Sequence, residues 1–339
     1  MRIAFFFILV SCIYSGVSCT KHTLQTSVII YPDNADIEYT GRWNKSIHSA
    51  YISHWGGAYF TLHFNGTTII VKFSNTPKIR VYIDDDKSGS IQIGKNVLSI
   101  NGLKQGSHTI VVAAYDQYDE MQLSSITLAD TAKVFPPIFK KGVLEFIGNS
   151  ITAGAGVKNC QDAYPWIVSE RLGLDHTQIA SSGITLTEGY RNQNSLPHGM
   201  IVGYFSLKEP PNDVNIPFNF TDYVPEAIVI ELGTNDEKVH VPLAEFQRQY
   251  ILFLQQIRAK YPSCKLILQG NSFCNSFGNA QIINVVNYFN NRSDTKVYYI
   301  NTTGWVTNKD LVDGCHPSLA GNKKIADSLL PKLKAILNR

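Results

Sequence analysis

The sequence predicts two domains of different fold class, an all-β sandwich followed by a three-layer α/β/α domain with a parallel sheet. Two hydrophobic periods within one chain of 339 residues support this prediction. The first part alternates apolar and polar residues in short runs, which is typical of half-buried strands. The second part alternates short apolar runs with segments of helical period, which is typical of parallel strands joined by helices. The 17 Phe and 17 Tyr residues, with only 17% charged residues, exclude an intrinsically disordered chain.

The first 19 residues are typical of a secretory signal peptide. Arg2 precedes an apolar run over residues 3–10, and smaller residues then lead to a cleavage site near Cys19. Serine and glycine residues interrupt the run before it reaches the roughly 20 apolar residues that a membrane span requires. We therefore expect a secreted, extracellular protein without a membrane anchor. Five acceptor patterns for N-linked glycans agree with export, at Asn44, Asn65, Asn219, Asn291 and Asn301.

Residues 20–138 are predicted to form the sandwich. Alternating runs such as residues 59–64 and 109–113 are separated by Gly-containing turns, and no long helical pattern occurs among them. The Pro136-Pro137 pair then interrupts strand pairing, and the hydrophobic period changes beyond it. We therefore predict a domain boundary near residue 138.

Residues 139–339 are predicted to form the α/β/α domain. The apolar runs that predict its buried strands span residues 143–147, 227–232, 266–269 and 297–300. The helical patterns span residues 164–172 and 243–261 and begin again near Ser318. Because strands alternate with helices, we expect a parallel sheet that is covered on both faces.

Three polar segments of this second domain are candidates for its functional site, because ligands of parallel α/β sheets bind beyond the carboxyl ends of the strands. The first predicted strand runs into Gly148-Asn149-Ser150 and brings a serine to this edge. A later strand runs into Gly233-Thr234-Asn235 and brings a carboxamide to the same edge. Asp313 and His316 lie three residues apart, immediately before the last predicted helix.

These side chains supply the parts that ester hydrolysis requires, namely a nucleophile, a base and donors for the oxyanion. Ser150 is the predicted nucleophile, His316 the general base, and Asp313 the acid that orients the imidazole. We predict that the oxyanion is bound by the N–H groups of Ser150 and Gly183 and by the side chain of Asn235. This chemistry needs no metal and no organic cofactor.

Two further observations concern the substrate. The net charge of +3, without any block of Lys or Arg, gives no electrostatic basis for binding nucleic acid or an anionic membrane. An uncharged or small partner is therefore expected. Trp305 follows the last predicted strand, where its ring is available either to stack on a sugar or to fill the core. The sequence leaves both roles open.

Four cysteines lie in the second half of the chain and would be free to oxidise after export: Cys160, Cys264, Cys274 and Cys315. Cys264 and Cys274 flank a predicted strand that holds them roughly 20 Å apart, which makes a bond between them unfavourable. The other three are expected near one end of the parallel sheet. We therefore favour a disulfide between Cys274 and Cys315, with four buried thiols as the alternative.

The second half of the chain resembles the SGNH (GDSL-type) hydrolases in four sequence blocks that occur in family order. The blocks are residues 148–152 with the nucleophile, Gly183, residues 233–236 with the asparagine, and the Asp-x-x-His-Pro motif of residues 313–317. A sandwich precedes this half, and Asp162-Ala163-Tyr164-Pro165 follows the serine block. With these features the chain as a whole resembles carbohydrate esterase family two.

This resemblance implies a flavodoxin-like hydrolase domain behind a jelly-roll-like sandwich. It also implies deacetylation of plant-type polysaccharides such as acetylated xylan or mannan. Two positions depart from the pattern: Asn149 replaces the usual aspartate beside the nucleophile, and Cys315 stands where family two members often hold their acid. The alternatives are a lipid or longer-chain acyl hydrolase of the GDSL type, and a non-catalytic carbohydrate-binding protein, which the sandwich and Asn149 suggest.

Overall fold

The computed structural model describes residues 27–339, apart from residues 85, 87, 130, 158, 194 and 211–213. The predicted signal peptide, residues 1–19, lies outside the described residues, so the peptide and secretion stay predictions. Among the described residues, no helix has both the length and the hydrophobicity that crossing a bilayer requires. One antiparallel sheet and one parallel sheet organise the described chain.

Ten antiparallel strands form the first sheet, which confirms the all-β prediction. They are β1 (Ser27–Ile30), β2 (Ile37–Asn44), β3 (Tyr51–Asn65), β4 (Thr68–Phe73), β5 (Ile79–Ile83), β6 (Ser90–Gln92), β7 (Val97–Asn101), β8 (Ser107–Ala114), β9 (Gln122–Ala129) and β10 (Val134–Phe135). The order is β6-β5-β8-β3-β9-β4-β7, with β1 beside β9 and with β2 and β10 beside β3. The long strand β3 pairs with β9 at Tyr51 and Ile52 and with β8 from Tyr59 onward. Both halves of the sandwich therefore belong to one hydrogen-bonded sheet.

Five parallel strands form the second sheet. They are β11 (Val143–Gly148), β12 (Asp175–Ala180), β13 (Ala227–Glu231), β14 (Lys265–Gln269) and β15 (Val297–Ile300). Their order, β12-β11-β13-β14-β15, is the 2-1-3-4-5 order of flavodoxin-like sheets. The predicted fold class of this part is therefore confirmed.

Helices cover both faces of the parallel sheet. They are α1 (Ser150–Ala153), α2 (Tyr164–Leu172), α3 (Met200–Gly203), α4 (Thr234–Lys238), α5 (Leu243–Lys260), α6 (Asn279–Asn290) and α7 (Leu319–Leu337). Phe253 of α5 and Ile282 of α6 belong to the apolar core on one face, and Val168 of α2 and Leu329 of α7 to the core on the other. The three layers follow from these two cores.

Strand β12 is absent from the sequence prediction, because its residues, Asp-His-Thr-Gln-Ile-Ala, do not form an apolar run. All six of its residues are nevertheless buried. The cause is the sandwich, since β3 packs against β12 and the Tyr59 hydroxyl donates to Asp175 Oδ1 at 2.7 Å. Within the strand, His176 Nε2 lies 2.9 Å from Gln178 Oε1. Partners of this kind offset the cost of burying polar side chains.

Candidate active site

Ser150 is held at the carboxyl end of β11 by the short turn that begins α1. Asn149 is the N-cap of this helix, and its Oδ1 accepts a hydrogen bond from the Ile151 N–H at 2.9 Å. Ser150 is the first helical residue, and only 8% of its surface is exposed. The nucleophile predicted from the sequence therefore lies on a buried, hydrogen-bonded turn at the expected edge of the sheet.

His316 lies between Ser150 and Asp313, although Ser150 is 166 residues away in the sequence. Its Nε2 is 2.8 Å from Ser150 Oγ, and its Nδ1 is 2.6 Å from Asp313 Oδ2. The second oxygen of Asp313 accepts from the backbone N–H of His316 at 2.8 Å and from that of Cys315 at 3.1 Å. The structure thus brings together the three residues predicted as nucleophile, base and acid.

The charge of Asp313 determines which histidine nitrogen can act as the base. Hydrogen bonds from the His316 backbone N–H and from its ring hold the Asp313 pKa at about 2, well below the usual range. The ionised carboxylate favours the His316 tautomer with the proton on Nδ1. Nε2 is then left with a lone pair directed at the Ser150 hydroxyl, which is the arrangement that a general base requires.

The segment that carries His316 is fixed by a disulfide bond and by close packing against Gly156. Cys315 forms a disulfide with Cys274, as favoured from the sequence, and this bond ties the segment to the loop after β14. On its other side, a Cβ at Gly156 would overlap the carbonyl oxygen of Pro317. Gly156 therefore has a packing role beside the histidine, which the sequence alone did not reveal.

The predicted oxyanion donors come from the strands on either side of β11. Gly148 at the end of β11 pairs with Ala180 of β12 and with Glu231 of β13, so the loops after all three strands leave the sheet side by side. Gly183 lies in the loop after β12 and has a φ of +82°, which favours glycine. Its N–H forms no hydrogen bond within the described part of the chain.

Asn235, the third predicted donor, is buried at the start of α4, which follows β13. Its Nδ2 donates to the carbonyl oxygen of Ile184 at 2.8 Å, and the second hydrogen of the amide is left for another acceptor. Asn235 and Gly183 line the same cavity of about 260 Å³, together with Asn192, Ser195, Lys238 and Val239. The structure therefore groups both donors around one small cavity.

Asp236 stabilises the glycine loop, which we define as residues 181–187. Its two carboxyl oxygens accept from the Leu186 N–H at 2.9 Å, the Thr187 N–H at 3.0 Å and the Thr187 hydroxyl at 2.9 Å. Burial raises the Asp236 pKa to about 6 even with these donors. The asparagine block contains this residue, but the sequence did not indicate that its side chain holds a second loop.

Glu231, which the sequence analysis did not select, lies directly below the nucleophile turn. It is fully buried at the end of β13, and burial raises its pKa to about 8. The nearby Asn149 amide lowers the pKa of this carboxyl, but by less than burial raises it. Within the described residues neither carboxyl oxygen has a hydrogen bond of good geometry. A charged residue inside an otherwise apolar strand was the available signal. At neutral pH Glu231 is therefore a neutral acid.

Trp305 lies beyond β15, where the sequence predicted it. Its ring is half-buried, packs against the core shared by α2 and α7, and has its centroid 6.3 Å from that of Phe273. The ring therefore contributes to the core, which is one of the two roles that the sequence left open. Stacking of Trp305 on a sugar stays a prediction.

Comparison with known proteins connects both parts of this architecture to described families. The profile of the GDSL-like lipase/acylhydrolase family matches residues 146–324, and the profile of the carbohydrate esterase 2 N-terminal domain matches residues 39–137. The first match includes the segments of Ser150, Gly183, Asn235 and His316. The second covers most of the ten-stranded sheet.

Two curated relatives and one solved structure are similar to the chain. The cellulase/esterase CelE of Acetivibrio thermocellus is 25% identical over 89% of the chain, which spans only 40% of the length of that relative. An acetylxylan esterase/glucomannan deacetylase of Cellvibrio japonicus is 24% identical over 84% of the chain and 86% of its own length. The structure of a family two carbohydrate esterase from Clostridium thermocellum, in complex with cellohexaose, has a TM-score of 0.76 and 23% identity. It covers 89% of this chain and 99% of that one, and it shows that the two folds are alike.

Proposed function

The chain belongs to the GDSL-like lipase/acylhydrolase family, and we propose that it is a secreted carbohydrate esterase that removes O-acetyl groups from polysaccharide through an acyl-serine intermediate. One observation carries the proposal: Ser150 Oγ, His316 and Asp313 form a continuous hydrogen-bonded series. The acetylated polysaccharide substrate is supported by the relative described as an acetylxylan esterase/glucomannan deacetylase and by the carbohydrate esterase 2 profile over the sandwich.

The proposed reaction begins with attack of Ser150 Oγ on the acetyl carbonyl carbon, while His316 Nε2 takes the hydroxyl proton. The carbonyl oxygen becomes an oxyanion, which the N–H groups of Ser150 and Gly183 and the amide of Asn235 stabilise. His316 then gives its proton to the sugar oxygen, and the C–O bond of the ester breaks. A water molecule, deprotonated by His316, attacks the acetyl-serine and releases acetate.

Three polar side chains at the cavity beside the oxyanion donors favour a short acyl group over a long one. Asn192, Ser195 and Lys238 line this cavity of about 260 Å³. A long alkyl chain would take the place of water around these polar groups without offering them hydrogen bonds, which is unfavourable. The acetyl ester is therefore a better substrate for this site than the octanoate ester of a lipid-type hydrolase.

Replacement of the nucleophile tests the proposal. We expect Ser150→Ala to lower kcat on a chromogenic acetate ester and on acetylated xylan by about 10³-fold or more, because Ser150 supplies the hydroxyl that contacts His316 Nε2. Ser169→Ala, at a buried serine in α2, is the matched control and should keep wild-type turnover. Undiminished turnover by Ser150→Ala would remove the proposal, and a wild-type preference for octanoate over acetate would replace it with a longer-chain acyl hydrolase.

The export part of the proposal is supported by the apolar leading segment and by the Cys274–Cys315 disulfide, since such bonds persist in oxidising compartments. We expect protein collected from the culture medium to begin near residue 20. Mass spectrometry of its N-terminal peptide gives the answer, and a protein that keeps Met1 and stays inside the cell would contradict export.

A further inference from the structure

The glycine loop, residues 181–187, is bound on two sides by its own domain. Asp236 accepts from Leu186 and Thr187, and Asn235 donates to the Ile184 carbonyl oxygen. These bonds fix the part of the loop that follows Gly183. The residue before Gly183 needs a separate support, because the orientation of the Gly183 N–H depends on the peptide plane that joins it to Ser182.

The support at Ser182 comes from the sandwich. Gln117 Oε1 accepts from the Ser182 N–H at 2.7 Å, and Gln117 Nε2 donates to the Ser182 hydroxyl at 2.8 Å. The carboxamide of Gln117 therefore binds both the backbone N–H and the hydroxyl of Ser182. Only 8% of the Gln117 surface is exposed, so little water competes for these bonds.

Gln117 can act as a fixed support because its own loop, between β8 and β9, is held against the catalytic domain. The carbonyl oxygen of Tyr115 accepts from the Cys160 N–H at 2.9 Å, and that of Ala114 accepts from Gln161 Nε2 at 2.6 Å. A Cβ at Gly56 would lie 2.9 Å from Gln117 Cα, so β3 also approaches this loop closely. The loop that carries Gln117 thus has contacts with both domains.

We propose that Gln117 is a positioning residue of the esterase, which orients the Gly183 N–H toward the oxyanion by fixing Ser182. The inference rests on the proposed function, since it assumes that Gly183 donates to the oxyanion. Bonds to the N–H and the hydroxyl of Ser182 restrict rotation of its backbone, and the peptide plane that carries the Gly183 N–H follows that backbone. Without Gln117, the N–H points over a wider range of directions and stabilises the transition state less.

A second hydrogen bond between the two domains provides a matched control. The Tyr59 hydroxyl donates to Asp175 Oδ1 at 2.7 Å and, like the bonds of Gln117, joins the sandwich to β12 or to the loop after it. Asp175 is at the amino end of β12, whereas the glycine loop follows the carboxyl end of the same strand. Tyr59→Phe therefore weakens the domain contact without affecting Ser182.

The experiment compares Gln117→Met, which fills similar space without hydrogen bonds, with Gln117→Ala and Tyr59→Phe. We expect both Gln117 variants to lower kcat on an acetate ester by about 10- to 100-fold with KM within about twofold of wild type. Affinity for a boronic acid that forms a tetrahedral adduct with Ser150 should fall by the same factor as kcat/KM. Tyr59→Phe should keep both values.

Three outcomes separate the possibilities. Loss of boronic acid affinity in parallel with kcat in Gln117→Met, with a thermal midpoint close to that of Tyr59→Phe, supports the positioning role. Wild-type kcat in Gln117→Met, or a kcat loss without any loss of boronic acid affinity, overturns it. Activity that survives in Ser150→Ala would instead remove the proposed function itself, so the two failures are distinguishable.

Discussion

Two carboxyl groups lie beside the two halves of the catalytic pair, and their surroundings shift their pKa values in opposite directions. Asp313, on the histidine side, is 52% exposed, and donors from His316 hold its pKa at about 2. Glu231, below the serine, is fully buried, and burial raises its pKa to about 8. At neutral pH the first is a carboxylate and the second a neutral acid. A charged carboxylate, Asp313, therefore supports His316, whereas the carboxyl group below Ser150, that of Glu231, is uncharged.

The two sides also differ in what holds the backbone. The serine turn lies in the core, where Asn149, Ser150 and Glu231 are all buried. The histidine segment is at the surface and depends on the disulfide between Cys274 and Cys315, which closes a loop of 41 residues. Such a cross-link stabilises a fold by roughly 4 kcal/mol through restriction of the unfolded chain. A surface segment with few buried contacts needs a constraint of this kind to keep its geometry.

Removal of the charge on the histidine side should have the larger effect on activity. We expect Asp313→Asn to lower kcat by roughly 10²-fold, because a neutral amide no longer stabilises the imidazolium or favours the Nδ1–H tautomer. The loss should be smaller than for a fully buried acid, since solvent screens an exposed carboxylate. This loss is measured by comparing kcat of the variant and of the wild type on an acetate ester.

The matched control for this prediction is Asp327→Asn, which removes an exposed carboxylate from a surface ion pair with Arg171. That variant should keep wild-type kcat. Because the Asp313 pKa is about 2, the carboxylate stays ionised from pH 5 to pH 8, so titration of Asp313 itself does not contribute to the difference between the wild type and Asp313→Asn in this range. A change of less than about threefold in kcat would show that the carboxylate does not support the base.

The sequence predicted where the candidate catalytic residues meet because their positions follow from a rule of topology. The apolar runs that became β11 and β13 identify their own carboxyl ends, and parallel strands gather those ends at one edge. Ser150 and Asn235 therefore converge whatever the details of packing. His316 required in addition that the segment before the last helix reaches this edge, which the structure shows through its 2.8 Å contact with Ser150.

The residues that the sequence did not reveal act through contacts that depend on tertiary structure. Gln117 is 65 residues from Ser182, and nothing near it in the sequence predicts that the sandwich approaches the glycine loop. The packing role of Gly156 was not predictable, because the Pro317 carbonyl that requires a glycine there is distant in the chain. Strand β12 was missed for the same reason, since its polar residues are buried in part by the neighbouring domain.

Replacement of Glu231 should have the smallest effect on activity and a distinct effect on stability. At pH 7 the neutral acid and an amide have nearly the same shape and both are uncharged, so we expect Glu231→Gln to keep kcat within about threefold. The difference should appear in the pH dependence of unfolding. The control is Glu237→Gln, at an exposed glutamate six residues further along the chain.

The sign of that pH dependence follows from proton binding. Between the ordinary pKa of 4.5 and the raised pKa of about 8, folded Glu231 keeps its proton while the unfolded chain releases it. Rising pH therefore favours the unfolded state over this range, and above about pH 8 the folded protein also loses the proton, so this contribution levels off. Glu231→Gln has no proton to lose at this position. The thermal midpoint of the variant minus that of the wild type should therefore increase from pH 5 to pH 8 and stay constant above pH 8. Parallel curves for the two proteins would mean that Glu231 is ionised in the fold, and that the serine side carries a charge as the histidine side does.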